Sequence, residues 1–197
     1  MEVKETYDAI AKSFSHTRYK KWNCVNSFLE MVKSKEEKIF EMGCGNGKNL
    51  LDHVEQSFGI DISDELCKIC VSRNLNVIQS DILTFNEPSL YHSFDFVMCV
   101  AVIHHLPLLD QRREVLCQMK RYLKKGGKGL VTGWNVSESK YDFSKGGDHW
   151  VKFGEGKRYY YIFQLEELRD LVKEVLGEDS ILEYRNEKGN DVIIFSI

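Results

Sequence analysis

Lys38-Ile39-Phe40-Glu41-Met42-Gly43-Cys44-Gly45-Asn46-Gly47 runs from a short β-rich segment into a glycine-rich turn. Glycines there let backbone approach a ligand closely, and the helical pattern expected over Asn49–Glu55 would offer unpaired N–H groups and a positive dipole end. The spacing is G-x-G-x-G. It is neither the dinucleotide fingerprint nor a P-loop, since Gly47-Lys48-Asn49 lacks the closing Ser or Thr. A nucleotide-like cofactor at this junction is the reading that organises the rest.

Outward from the junction, β-rich runs alternate with helical patterns: Ser57–Ile60, Asp64–Asn74 (helical), Asn76–Gln79, Phe94–Val100, Gln111–Lys124 (helical) and Gly129–Trp134. That rhythm predicts βαβ units and a parallel sheet covered on both faces. Phe94–Val100 is almost continuously apolar, as a central strand should be. Leu116, Met119, Tyr122 and Leu123 have helical spacing, with Gly126-Gly127 expected to end that helix. After a Gln164–Leu176 helix, Ile181–Arg185 and Val192–Ile197 flank a Glu187-Lys188-Gly189-Asn190 turn and predict an antiparallel hairpin.

At 197 residues and 43% apolar, the chain suits one domain. The expected division is a helical cap over 1–35, a cofactor-binding core over 36–134, and a substrate-side linker, last helix and hairpin over 135–197. No apolar run approaches the roughly 18 to 20 residues of a membrane span, so no membrane association is expected. Six scattered cysteines suit buried thiols in a reducing compartment, with the cytoplasm, and the nucleus second, as the expected location. Cys67-Lys68-Ile69-Cys70 has no second Cys or His pair to complete a zinc site, so no metal is expected. Net charge is −3, against indiscriminate nucleic-acid binding, yet Asp110–Lys128 holds seven basic residues against two acidic ones.

An acid closes the next strand in Gly59-Ile60-Asp61-Ile62, where a carboxylate can accept ribose hydroxyls. Ser80-Asp81-Ile82 adds an acid and an apolar residue placed for an adenine ring; the alternative for Asp81 is a turn-capping acid. Glu41, Gly43, Gly45, Asn46, Asp61, Ile62, Asp81, Ile82 and Val100 together resemble the S-adenosylmethionine site of class I methyltransferases. The implied fold is α/β and Rossmann-like: a mostly parallel six- or seven-stranded sheet with a terminal antiparallel hairpin and an N-terminal helical cap.

After the fourth strand stands Ala101-Val102-Ile103-His104-His105-Leu106-Pro107, not the Asn/Asp-Pro-Pro-Tyr/Phe of many nitrogen methylators. An oxygen or carboxylate acceptor remains, with at most one of His104 and His105 expected to face it. A carboxylate is already ionised near neutral pH and needs no strong base.

The cap and this motif resemble the eukaryotic tRNA wobble-uridine carboxymethyl methyltransferases, which esterify 5-carboxymethyluridine in the anticodon loop. The resemblance rests on Tyr7-Asp8-Ala9-Ile10-Ala11, Phe14-Ser15-His16-Thr17-Arg18-Tyr19-Lys20-Lys21-Trp22, Gly43–Lys48, Ala101–Leu106 and Arg158-Tyr159-Tyr160-Tyr161. It implies catalytic roles for Arg18, His104 and His105, cofactor contact for Tyr7, and tRNA contacts at Tyr19, Lys20, Lys21, Arg158, Tyr159 and the 112–128 basic cluster. It also implies a small zinc-binding activator subunit, for which the 76–79 edge strand offers a docking place, unless the 86–92 loop covers it. Two departures stand out. Lys20-Lys21-Trp22-Asn23 replaces Lys-Pro-Trp-Pro, and His149-Trp150-Val151-Lys152-Phe153 only loosely echoes a Val-Pro-Trp stretch. A small-molecule or protein acceptor at the same site, or a catalytically silent cofactor-binding scaffold, are the other readings the residues leave open.

Overall fold

Alternation along strand β1 (Ile39–Met42) sends Phe40 and Met42 to one face of a sheet and Ile39 to the other, and all of them are buried. A strand buried on both faces belongs at the centre, and β1 is paired in parallel with β2 (Ser57–Asp61) and β4 (Phe94–Val100). The structure, a computed structural model, describes residues 3–138, 140–153 and 156–197. β3 (Val77–Gln79) and β5 (Leu123–Trp134) extend the parallel set, and β8 (Ile181–Glu187) and β9 (Asn190–Ser196) close it as an antiparallel hairpin. The seven-stranded order is β3-β2-β1-β4-β5-β9-β8. The order in which successive strands are added reverses between β1 and β4, although the two run parallel, and the loops after β1, β2 and β4 meet at that edge, where ligands of open α/β sheets bind.

Helices cover both faces. On one face, α4 (Leu109–Tyr122) and α5 (Glu167–Leu176) bury Leu116, Met119, Leu168 and Val172 over Phe40, Phe58, Phe85 and Phe94. On the other, α2 (Asn23–Leu29) and α3 (Asp64–Ser72) set Val25, Phe28 and Cys70 against Phe96, Met98 and Leu130. Helix α1 (Val3–Thr17) lies over α3 and the cofactor edge, with Thr6 and Ala11 buried.

Four local expectations need correction. Asn49–Glu55 is not an α-helix: residues 51–56 form 3-10 turns, broken by non-helical backbone at His53. The Gln111–Lys124 helix stops at Tyr122, because Leu123 is already extended. Gly126 (φ 77°) instead sits in an irregularity of β5, where Phe94 pairs with Leu123 and Phe96 with Lys128, and its N–H donates to Ile197 O. The stretch taken as a compact linker carries β6 (Gly147–Phe153), which pairs with β7 (Gly156–Ile162) as a separate two-stranded ribbon. Finally, the 86–92 loop packs on Tyr122 and Leu123 through Tyr91 and His92, not on β3. β3 is a sheet edge, with Ile78 exposed.

Gly129 lies under Phe195, whose ring carbon Cζ would be 2.1 Å from an added Cβ. Gly129→Ala should therefore destabilise the chain by about 1–3 kcal/mol. Urea denaturation checks this, and Gly129→Ala/Phe195→Leu should recover part of the loss.

Candidate active site

Beyond β1 the chain turns through Gly43 (φ 75°), Gly45 (φ 57°) and Gly47 (φ 74°). A Cβ at Gly43 would stand 2.4 Å from Val102 Cγ2, and one at Gly47 2.2 Å from Leu75 Cδ1, so conformation and proximity both require glycine. Gly43 and Cys44 donate their N–H groups to Ile60 O at 2.8 and 2.9 Å, and Gly45 donates to Asp61 Oδ2 at 2.7 Å. Gly47 and Lys48 N–H groups bond within the loop. With those donors spent internally and no α-helix following, the anion-binding helix terminus expected from the sequence is absent. The loop provides close approach to backbone, not a cradle of donors.

Acidic groups surround it. A cavity of about 440 Å³ at this edge is lined by Glu41, Asn49, Asp61, Asp81, Ile82 and Val100, among others. Glu41 is buried; its Oε1 accepts from Asn49 Nδ2 at 2.6 Å, while Glu41 Oε2 and Asn49 Oδ1 have no partner among the described residues. Burial pushes the Glu41 carboxyl up to about 8. Asp61 Oδ1 accepts from Ser63 N–H at 2.9 Å, and burial raises its pKa too, against the pull of its backbone hydrogen bonds. Asp81 does both things read for it: it lines the cavity and its Oδ1 caps the following turn through Leu83 N–H at 2.9 Å.

The other end is aromatic and basic. His105 Nδ1 lies 2.8 Å from Tyr159 O, which can only accept, so the ring carries its proton there. Its Nε2 therefore accepts from the Tyr7 hydroxyl at 2.8 Å, and Arg158 Nη1 donates to that same hydroxyl at 3.3 Å. His104 Nδ1 accepts from Trp134 N–H at 3.1 Å, which places its proton on Nε2, and its ring stacks on Tyr160 with centroids 5.0 Å apart. Burial lowers both histidines, His105 to about 4, with positive Arg158 adding to the effect. Both rings are thus neutral near pH 7. Arg18 also lines this cavity, and its charge and that of Arg158 both act on Tyr7 and Tyr160.

Besides Tyr7, further hydrogen bonds latch the cap to the site. Asp8 Oδ1 accepts from Ser63 Oγ at 2.6 Å and Glu65 N–H at 3.3 Å, a carboxylate at the N-terminus of α3. Asn46 Nδ2 donates to Ser15 Oγ and Arg18 O, each at 3.0 Å.

A family profile described as Methyltransferase domain matches residues 40–131. The tRNA (carboxymethyluridine(34)-5-O)-methyltransferase of Schizosaccharomyces pombe is 32% identical over 95% of this chain and 92% of its own length. The chain belongs to that family. The Arabidopsis thaliana protein of the same name is 39% identical over 69% of the chain, and the aligned region spans 33% of that longer protein. Among solved structures, a chain from the complex between the Haloferax volcanii Trm112 methyltransferase activator and a methyltransferase matches with a TM-score of 0.75 at 13% identity, covering 99% of this chain and 97% of that one. A Methanosarcina mazei SAM-dependent methyltransferase matches at 0.70 and 18% identity, over 89% and 97%. The fold is therefore that of the class I methyltransferases, and the chain is an S-adenosylmethionine-dependent methyltransferase.

Of the residues singled out from sequence, Arg18, His104, His105, Tyr7, Glu41, Gly43, Gly45, Asn46, Asp61, Ile62, Asp81, Ile82, Val100 and Arg158 converge on this cavity. Both histidines line it. Tyr19, Lys20, Lys21 and Tyr159 are outside its lining: Tyr19 is 73% exposed, Lys21 pairs with Asp52 at 2.6 Å, and Tyr159 Oη donates to Asp148. In the basic cluster, Arg112 is buried on the Tyr161 ring, Arg113 pairs with Asp110 and Glu174, and Lys124 with Asp95. Trp134, Tyr160, Asn49 and Lys48 also line the cavity and were not singled out. Of these, only Asn49 had a signal, an amide eight residues after a buried acid.

The acid and the histidines give opposite pH slopes. Glu41 holds a proton in the folded chain up to about 8 that the unfolded chain loses near 4.5, so its contribution to stability declines as pH rises across that window. His105 stays neutral down to about 4 while the unfolded ring protonates below 6.5, so its contribution grows with pH and is complete above 6.5. Between pH 6.5 and 8 the ligand-free protein should lose stability as pH rises, and Glu41→Gln should flatten that slope, as read from urea midpoints. A wild-type midpoint rising over the interval would contradict the assignment.

Proposed function

We propose that this chain transfers the methyl group of S-adenosylmethionine to the carboxylate of 5-carboxymethyluridine at the tRNA wobble position, forming the methyl ester. The observation that carries this reading is the composition of one cavity, whose lining joins Glu41, Asn49 and Asp61 with Arg18, Arg158 and the neutral His104 and His105.

The unpartnered Glu41 Oε2 and Asn49 Oδ1 fit the cofactor's ammonium, and Asp61 its ribose hydroxyls. Ile82 and Leu83 supply apolar surface for the adenine, beside Asp81. Bound there, S-adenosylmethionine supplies an electrophilic methyl on a sulfonium, whose transfer to a carboxylate oxygen leaves a neutral thioether and a neutral ester. Arg18 and Arg158 hold the acceptor carboxylate by charge-assisted hydrogen bonds. Tyr7 orients Arg158 and His105 together, and His104 presents its Nε2 proton as a donor. No base is required, and this favours a carboxylate over a hydroxyl: rings held neutral by burial are weak bases. Trp134 and Tyr160 provide aromatic surface for the uracil ring.

The tRNA substrate follows the relatives' stated activity. An activator subunit, small and zinc-binding, is assigned to the free edge of β3 by strand addition. No helix among the described residues is long and apolar enough to cross a membrane. Cytoplasm and nucleus, where tRNA is processed, are the proposed locations.

Labelled-methyl transfer to bulk tRNA, with and without the activator, followed by mild alkali, tests this. An ester loses its label as methanol, and label that survives alkali would rule out the carboxylate. Since no proton leaves the acceptor, kcat should be nearly flat from pH 6 to 8, whereas a hydroxyl acceptor would give a rising limb. Tyr7→Phe should lower kcat roughly 5- to 100-fold, since it leaves His105 Nε2 without its donor, while cofactor affinity measured by calorimetry stays within about twofold. Asp61→Ala should show the reverse pattern.

A further inference from the structure

The β6–β7 ribbon has two faces of different composition. Its register sets His149 against Tyr160 and Val151 against Arg158 on one face, and Trp150 against Tyr159 and Lys152 against Lys157 on the other. The first face is turned inward: Val151, Arg158 and Tyr160 are buried, and Arg158 and Tyr160 form part of the cavity wall. The second is turned out, with Trp150 61% exposed and both lysines exposed.

Two features of that outer face run against stability. Like charges directly opposite on paired strands repel, and neither lysine side chain has an ion pair with a described acid. Trp150 and Tyr159 make an edge-to-face pair with centroids 5.7 Å apart, and Trp150 presents the rest of its ring to solvent. Meanwhile, in the basic cluster on α4 and β5, Arg113, Arg121 and Lys124 are paired with Asp110, Glu174, Glu114 and Asp95, and Arg112 is buried on the Tyr161 ring. In a chain of net charge −3, the outer face of the ribbon brings two exposed cations and an open aromatic face together on the strands that form the cavity wall.

We propose that this outer face binds the single-stranded RNA flanking the acceptor nucleotide, Trp150 stacking on a base and Lys152 and Lys157 contacting phosphates. The inference rests on the tRNA reading of the cavity. A ribbon one residue thick serves both purposes. Residues at alternate positions hold the acceptor on the inside and its neighbours on the outside, so a nucleotide entering the cavity leads the adjoining strand across the ribbon. Stacking on an aromatic is tolerant of base identity, and the contacts to phosphate carry no sequence preference.

The test is fluorescence anisotropy of the full chain with a labelled anticodon stem–loop RNA across a KCl series. Trp150→Ala should weaken binding about tenfold, and Trp150→Phe should restore most of it. Lys152→Gln/Lys157→Gln should lower the slope of log affinity against log salt by about 1.4, the equivalent of two single-strand phosphate contacts. Cofactor affinity should hold for these exposed positions, and the thermal midpoint should not fall, the lysine variant gaining slightly from the loss of like-charge repulsion. Wild-type RNA affinity and salt slope in both variants would overturn the proposal, as would Trp150→Ala weakening activator binding while leaving RNA binding intact. The acceptor assignment is judged separately. Wild-type chain showing these RNA dependences but no alkali-labile transfer keeps the surface and rejects the acceptor; transfer untouched by either variant does the opposite.

Discussion

Three oxygens at the end of β2 hold the site in shape. Ile60 O accepts from Gly43 and Cys44, and Asp61 accepts from Gly45 and Ser63, so the loop after β1 is drawn down onto the neighbouring strand. Backbone donors that would otherwise face a ligand are satisfied within the protein, as buried N–H groups must be. The site is therefore not built for a phosphate. What it offers are carboxylates and an amide oxygen, and Glu41, held protonated by burial up to about pH 8 in the ligand-free chain, would ionise beside a bound cation. The same loop is where the cap docks, since Asn46 ties Ser15 and Arg18 to it.

The acceptor end depends on a longer-range assembly. Tyr7 comes from α1, His105 from the turn after β4, and Arg158 and Tyr159 from β7, yet one chain of hydrogen bonds joins all of them. Each link constrains the next: the Tyr159 carbonyl sets the His105 tautomer, which makes Tyr7 a donor, which leaves the Tyr7 oxygen lone pairs for Arg158. Because these segments lie far apart in sequence, closing that circuit is non-local, and the acceptor end exists only once cap, sheet and ribbon are all in place. The cofactor end is built from the ends of the neighbouring parallel strands β1 to β4 and the turns that follow them.

That difference accounts for what could be read from sequence. β4 was legible because a strand buried on both faces is an almost continuous apolar run, β1 and β2 because short β-rich segments there alternate with turn and helical patterns, and the terminal hairpin because its turn carries Gly189 and Asn190. The cofactor residues were legible because they sit at strand ends with short spacings. The 3-10 turns at 51–56 were not, since Leu50, Leu51 and Val54 give an apolar spacing that fits either helix type, and only packing decides. β6 was missed because half of its residues are polar or charged, and its pairing to β7 is fixed by the aromatic ladder Phe143, Trp134 and Tyr160 beneath it. Trp134 and Tyr160 entered the site by the same route. Trp134 appeared in sequence as the end of a strand and Tyr160 as part of the Arg158–Tyr161 segment, and only the tertiary fold turns them into the cavity.

A charged acceptor sets a conflict that the geometry moderates. Methyl transfer between a sulfonium and a carboxylate destroys both charges, so every strong ionic contact to the reactants is weaker in the transition state and weaker again with the ester. Maximal ion pairing would lower KM and slow the step, because only interactions retained at the transition state accelerate it. Arg158 is arranged otherwise: it is buried against Tyr160, directs one N–H to the Tyr7 hydroxyl, and lies beside two histidines that add no charge of their own. A second positive charge on His105 would deepen the hold on the carboxylate and on nothing that follows, and burial keeps that charge off. The basic end thus carries enough charge to select an anion and position it, and little enough that the neutral ester, which accepts hydrogen bonds but forms no ion pair, is readily released.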